Sequence, residues 1–161
     1  MNDRRNPAAP VRLARSEEAP ALSELCFSSK AVWGYDAAFM ALARDALRVT
    51  PAAIAAGDVW VAVAADGAVA GVVGLGPGED ADTLDLDKLF VAPDCIGAGF
   101  GRTLLTQAIG EARCRGAKRL TILADPFAAA FYEHHGAHRI GEAPSDAIPG
   151  RMLPRYEIRL V

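Results

Sequence analysis

Between Thr83 and Arg115 the chain passes from a strand, through a glycine-rich stop, into an amphipathic helix, and few folds accommodate that passage. Thr83 to Val91 reads as a long strand with Asp85, Asp87, Leu89 and Val91 on one face. Pro93 ends it, because proline has no N–H to give a ladder. Gly97, Gly99 and Gly101 follow at alternate positions, where the missing Cβ lets backbone curl tightly and approach a ligand. The helix from Gly101 to Arg115 then carries the stripe Leu104, Leu105, Ala108, Ile109 and Ala112. Its first turn leaves N–H groups without partners, and the helix dipole favours an anion there. A diphosphate satisfies both. The loop lacks GxxxxGK[ST] and GxGxxG, and no early βαβ unit surrounds it, which excludes nucleoside-triphosphatase and dinucleotide loops. Taken alone it is equally compatible with an ordinary strand-to-helix turn.

Periodicity places the remaining elements. Met1 to Pro10 reads as a flexible tail. Val11 to Ala14 is a short strand, and Ser16 stands where an N-cap belongs, ahead of Glu17 and Glu18. Leu22, Leu25, Cys26 and Ser29 continue that helix, and the pattern breaks over 28–35. A second helix is expected from Asp36 to about Val49, striped by Phe39, Leu42, Ala43, Ala46 and Leu47. Val59–Ala64 and Val69–Leu75 are strands joined by a hairpin turn at 65–68, with a loop at 76–80. After the central helix come a strand at Arg119–Ala124, a short helix at Phe127–His135 and a strand at Ala137–Gly141. A Pro/Gly-rich loop from Ala143 to Pro154 and a last strand at Arg155–Val161 complete the chain. The order predicts one mixed α/β domain over 11–161, built on a mostly antiparallel sheet of six to seven strands with about four helices.

Composition narrows the function classes. A chain of 161 residues, 52% hydrophobic and 23% charged, can bury a sizeable core. Net charge is only -3 with acids and bases interspersed, which argues against nucleic acid as a partner. Cys26, Cys95 and Cys114 form no CxxC pair and no cluster with the three histidines, so no metal is expected and the thiols read as reduced. No apolar run approaches the roughly 18 residues of a membrane span, and the N-terminus lacks a signal-peptide core. The expected location is cytoplasmic.

Two motifs occur in order. Val91-x-Pro93 followed by Gly99-x-Gly101-x-x-Leu104-Leu105 resembles the acetyl-CoA signature of the GNAT superfamily. Asp125-x-x-Ala128-x-x-Phe131-Tyr132-Glu133-x-x-Gly136-Ala137 resembles its second motif. With their connecting elements they cover about half the chain. The resemblance implies a GNAT-like fold and an acetyl-CoA-dependent N-acetyltransferase, with coenzyme A bound as acyl donor. It implies that backbone groups of Leu89, Phe90 and Val91 take the pantetheine arm as an added strand. Gly97, Ala98, Gly99, Phe100, Gly101 and Arg102, with Thr103, would hold the pyrophosphate. Asp125, Phe131 and Tyr132 would lie along the pantetheine, Tyr132 near the thioester sulfur. Two positions depart from the pattern. Ile96 stands where the superfamily usually has Gln or Arg, leaving backbone contacts only. Asp125 replaces the commoner Asn and, ionised, can only accept.

Chemistry then assigns roles. An ammonium with a pKa of about 10.4 must lose a proton before it attacks a thioester. A backbone N–H of the strand ending at Val91 can serve the oxyanion. Tyr132 is the expected general acid for the departing thiolate. Asp85, which matches a position where some superfamily members carry a catalytic Glu, is the candidate base, with Asp87 or water as alternatives. A solvated carboxylate or an ion pair explains Asp85 equally well. Trp33 and Tyr35 are candidate walls for the amine through cation–π contact, or else core plugs. Arg151 is a candidate partner for a substrate carboxylate, or else solvated. The favoured acceptor is a primary amine of a small molecule. A peptide acceptor and a non-catalytic acyl-CoA sensor are the alternatives, and the resemblance also admits a homodimer.

Overall fold

The computed structural model describes residues 9–161. Most of the expected tail lies outside these residues, but its last two belong to the folded unit. Ala9 is buried and the Pro10 carbonyl accepts from Val63 N–H at 2.9 Å.

Seven strands among the described residues form one sheet: β1 (Val11–Leu13), β2 (Val59–Val63), β3 (Val69–Pro77), β4 (Thr83–Val91), β5 (Arg119–Leu123), β6 (His138–Pro144) and β7 (Met152–Arg159). Their order is β1-β2-β3-β4-β5-β7-β6. Neighbours are antiparallel except β4 and β5. Among the described residues five α-helices cover its two faces: α1 (Ala19–Ala31), α2 (Ala37–Ala43), α3 (Pro51–Ala55), α4 (Phe100–Cys114) and α5 (Ala129–His134). One core joins the sheet to α4 and α5 through Leu104, Leu105, Leu120, Ile122 and Tyr156. The other joins it to α1–α3 through Leu22, Cys26, Met40, Val61 and Val72. Burial in that second core pushes the Cys26 thiol up to about 12, so it is inert.

Local chemistry corrected four expectations. Ser16 is not the cap of the first helix. It opens a short 3-10 turn at Ser16–Glu18, and the Glu18 carboxylate accepts from Arg15 N–H at 2.8 Å while two guanidinium nitrogens of Arg12 hold it. The single helix expected from Asp36 to Val49 ends at Ala43. Asp36 caps its start, and Thr50 caps a separate α3 whose first residue is Pro51. The residue before a proline avoids helical backbone, so one continuous helix could not reach 51. The expected loop at 143–154 is shorter, because β6 and β7 pair as far as Pro144 and Met152, leaving 145–151 as the loop between them.

The fourth correction concerns β4. Against β3, Gly74 pairs with Lys88 but Leu75 pairs with Leu86, leaving Asp87 as an extra residue. This bulge breaks the alternation. Leu84 and Leu86 face the α4 core, and so do Leu89 and Val91 beyond it, whereas Phe90 faces α1. Asp85, set between Leu84 and Leu86, therefore does not share a face with Leu89 and Val91.

Candidate active site

The parallel pairing of β4 and β5 is short. It runs from Thr83–Arg119 to Asp85–Thr121 and stops. Beyond it, Leu86 to Val91 pair only with β3, and Ile122 and Leu123 only with β7. The sheet thus splays open toward the carboxyl ends of its two parallel strands, the place where α/β sheets receive ligands. The bulge at Asp87 lies just beyond the vertex. Leu89, Phe90 and Val91 form one rim, half-buried and with no strand on the open side.

The glycine-rich passage continues that rim. Pro93–Cys95 makes one 3-10 turn, and Gly97 and Gly99 take φ of 84° and 93° before α4 begins at Phe100. Such angles crowd any side chain, which is why glycine occupies them. Among the described residues the N–H groups of 96–102 have no hydrogen-bond acceptor, and the first closed turn is Thr103 N–H to the Gly99 carbonyl at 3.2 Å. Consecutive free N–H groups at the start of a 15-residue helix form an anion cradle. Thr103 Oγ1 donates to the same Gly99 carbonyl. Ile96 is exposed and apolar, and Arg102 is exposed. Phe131 lies beneath the cradle, 3.3 Å from where a Cβ on Gly101 would stand.

Asp85 sits at the vertex of the splay. Its carboxylate accepts from Thr121 Oγ1 at 2.8 Å. Burial raises its pKa, the Thr121 hydrogen bond opposes that, and Asp87 adds to it. Asp87 is half-exposed and paired with Lys88 at 3.0 Å. Of the two carboxylates only Asp85 is held as a base should be, half-desolvated and hydrogen-bonded in place.

Tyr132 is buried on α5, and its hydroxyl has no hydrogen-bond partner among the described residues. Burial, and then the charge of Asp125, push its pKa far up, so the proton stays on the oxygen at neutral pH. The neighbouring Glu133 accepts from the Tyr156 hydroxyl at 2.7 Å, which ties α5 to β7 and fixes Tyr132.

Asp125, at the end of β5, gathers the candidate substrate residues. Lys30 Nζ and the Tyr35 hydroxyl each donate to Asp125 Oδ2 at 2.8 Å, and Phe127 N–H donates to Oδ1. Arg151 donates to the Tyr35 oxygen at 2.7 Å. Burial opposes ionisation of Asp125, but the hydrogen bonds from Lys30 and Phe127 N–H, with the Lys30 charge, together outweigh it and hold the carboxyl below its ordinary range. Trp33 stacks on Phe127 with centroids 5.2 Å apart, and Tyr35 on Phe39 at 3.9 Å. Trp33 is exposed and therefore does not plug the core. Sequence reasoning missed Lys30, Phe39, Thr121 and Phe127. Lys30 and Asp125 are 95 positions apart, beyond any periodicity.

His134, His135 and His138 do not converge, and among the described residues no three His, Cys, Asp or Glu side chains group as metal ligands. Among them, too, no helix is long and apolar enough to cross a membrane.

Known proteins place this architecture. A family model described as the acetyltransferase (GNAT) family matches residues 23–137. A GCN5-related N-acetyltransferase from Rhodopseudomonas palustris superposes with a TM-score of 0.75 at 24% identity, covering 94% of this chain and 95% of that one. PaiA N-acetyltransferase from Thermoplasma acidophilum, solved with coenzyme A, gives 0.72 at 15% identity, covering 93% and 98%. An N-acetyltransferase from Staphylococcus aureus Mu50 gives 0.69 at 18% identity, covering 95% and 99%. At these identities the likeness is one of fold. No curated protein matches the sequence.

Proposed function

The chain belongs to the GNAT acetyltransferase family, and from that premise we propose that it transfers an acetyl group from acetyl-CoA to the primary amine of a small molecule by direct attack. The observation that carries the reading is the cradle of unpartnered N–H groups at 96–102, which continues a β4 edge left open beyond Asp85. Such a surface suits a diphosphate followed by an amide-bearing arm, the chemistry of coenzyme A. The relative solved with coenzyme A has the same fold.

Acetyl-CoA supplies an acyl thioester, reactive toward an uncharged amine. On this reading Leu89, Phe90 and Val91 hold its pantetheine arm, and Gly97, Ala98, Gly99, Phe100, Gly101 and Arg102 its pyrophosphate. Phe131 backs the cradle. Asp85 takes the ammonium proton, directly or through water, and its burial-raised pKa suits a base more than an ordinary surface carboxylate would. A β4 N–H donates to the carbonyl oxygen as charge develops there. A bond forms from nitrogen to the acyl carbon, the carbon–sulfur bond breaks, and Tyr132 gives its proton to the departing sulfur. Its raised pKa keeps that proton available.

The test is calorimetric titration of acetyl-CoA, followed by free-thiol detection with an amine library. Binding followed by thiol release is expected. Tyr132→Phe should then lower turnover by about 10²–10⁴-fold while leaving acetyl-CoA affinity nearly unchanged. Absence of acetyl-CoA binding overturns the reading, and unchanged turnover in the variant removes Tyr132 from its role.

A further inference from the structure

Resting on the acetyl-transfer reading, the side chains on the α1 side of the splay point to the acceptor's chemistry. Lys30, Arg151 and Asp125 bring two positive charges and one negative to one cluster. Lys30 and Asp125 satisfy each other at 2.8 Å, so the excess charge falls on Arg151, 3.9 Å from that carboxylate. The Arg151 side chain is only 20% exposed. A guanidinium has five N–H donors, yet one nitrogen of Arg151, bonded to the Tyr35 oxygen, is the only one with an acceptor among the described residues. No buried side-chain nitrogen or oxygen there lacks a partner, so the remaining N–H groups reach solvent. The guanidinium is held 5.1 and 4.9 Å from the ring centroids of Tyr35 and Phe39. A guanidinium held by two rings, largely withdrawn from water and bonded at one nitrogen, is preorganised for a planar anion.

The same loop bears the opposite charge at its other end. Around Asp85, whose pKa is raised chiefly by burial, the charges of Asp87 and Asp146 add to that elevation and the charge of Arg155 opposes it. The vertex is therefore anionic and the Asp125 end carries a spare cation. Thr121, bonded to Asp85, and Asp125 are four residues apart, so their Cα atoms lie at most about 14 Å from each other. A ligand with an ammonium at one end and an anion at the other complements this arrangement. A plain alkylamine leaves the guanidinium without a partner.

We propose that Arg151 is the carboxylate receptor of the acceptor site, and that the acetylated amine is a small molecule of amino-acid type, carrying both groups. Lys30 and Tyr35 act as positioning residues, because they neutralise Asp125 and turn the Tyr35 oxygen toward Arg151.

The experiment uses the full chain and a panel of α- and ω-amino acids, each beside its carboxamide and its decarboxylated amine. Binding is read by calorimetry on protein saturated with coenzyme A, and transfer by thiol release from acetyl-CoA. The expected result is a preference of about ten- to a hundredfold in kcat/KM for the free acid over its carboxamide, expressed mainly in KM. Arg151→Met should bring that ratio close to one, and Arg151→Lys should restore part of it, keeping the charge without the planar fork. The wild-type ratio needs no variant to fold. Equal use of acid and carboxamide, an undiminished ratio in Arg151→Met, or no binding or reaction by any acid overturns the proposal. Thiol release only with carboxylate-free amines overturns it while the transfer reading stands. Carboxylate-selective binding without thiol release supports it and overturns the transfer reading.

Discussion

Asp85 illustrates how a single side chain can be set against its own stability. Its carboxylate is half-desolvated at the vertex of the splay and raised in pKa chiefly by burial. A carboxyl with a higher pKa folded than unfolded favours the fold while protonated, and that contribution is lost as pH rises through the folded value. At neutral pH the ionised Asp85 is therefore a liability. Asp85→Asn keeps the oxygen that accepts from Thr121 Oγ1 but removes the charge. If Asp85 is the base, the variant loses about 10²–10⁴-fold in kcat/KM. The acidic limb of the wild-type pH–rate profile, set above the ordinary 3.8 of an aspartate, disappears with it. Its melting temperature at neutral pH should match or exceed that of the parent. An unchanged acidic limb would assign the proton to water or Asp87 instead. The residue types at 85, 125, 132 and 151 were legible in the sequence, but their partners were not. Asp125 was expected from its motif, but that its carboxylate gathers Lys30 and Tyr35 from far upstream was not.

At the scale of elements, strand β4 and helix α4 form one device whose shape depends on backbone rather than side chains. Gly99 caps α4 with φ of 93°, and nothing lies within 4 Å of where its Cβ would stand, so its constraint is conformational and not steric crowding by the protein. Gly99→Val forces a β-branched residue into left-handed backbone, at about 1–2 kcal/mol. The less costly response is to re-form the turn, which turns the N–H groups of 97–102 away from a common centre. Calorimetry should show acetyl-CoA affinity reduced by about tenfold or more. Unchanged affinity would mean that the cradle does not hold the pyrophosphate. The glycines that build this turn are visible in sequence because spacing alone reports them. The bulge at Asp87 is not visible there, since nothing within β4 distinguishes a strand that skips a residue from one that does not. Only the pairing with β3 reveals it.

Across the whole molecule, the sheet separates two cores. On the α4 side the approach is close. A Cβ on Gly71 would stand 2.7 Å from Leu104 Cδ1 and 2.9 Å from the Phe90 carbonyl oxygen, and the backbone oxygen cannot step aside. Gly71→Ala should cost about 1–3 kcal/mol by overpacking. For a chain of this size that lowers the melting temperature by about 2–4 °C per kcal/mol. No change in calorimetric melting would show that β3 and α4 can move apart freely. What the sequence determined by itself was the order of the strands, the anion-seeking turn ahead of α4 and the motif around Tyr132. The first two rest on periodicity, proline or glycine chemistry acting within a few residues, and the third on its resemblance to the superfamily's motif. Tertiary structure alone decided where β4 and β5 part, which way Asp85 faces, and that Lys30, Tyr35, Asp125 and Arg151 meet. Those outcomes depend on pairing and packing between segments up to 116 positions apart, and no local rule carries information over that distance.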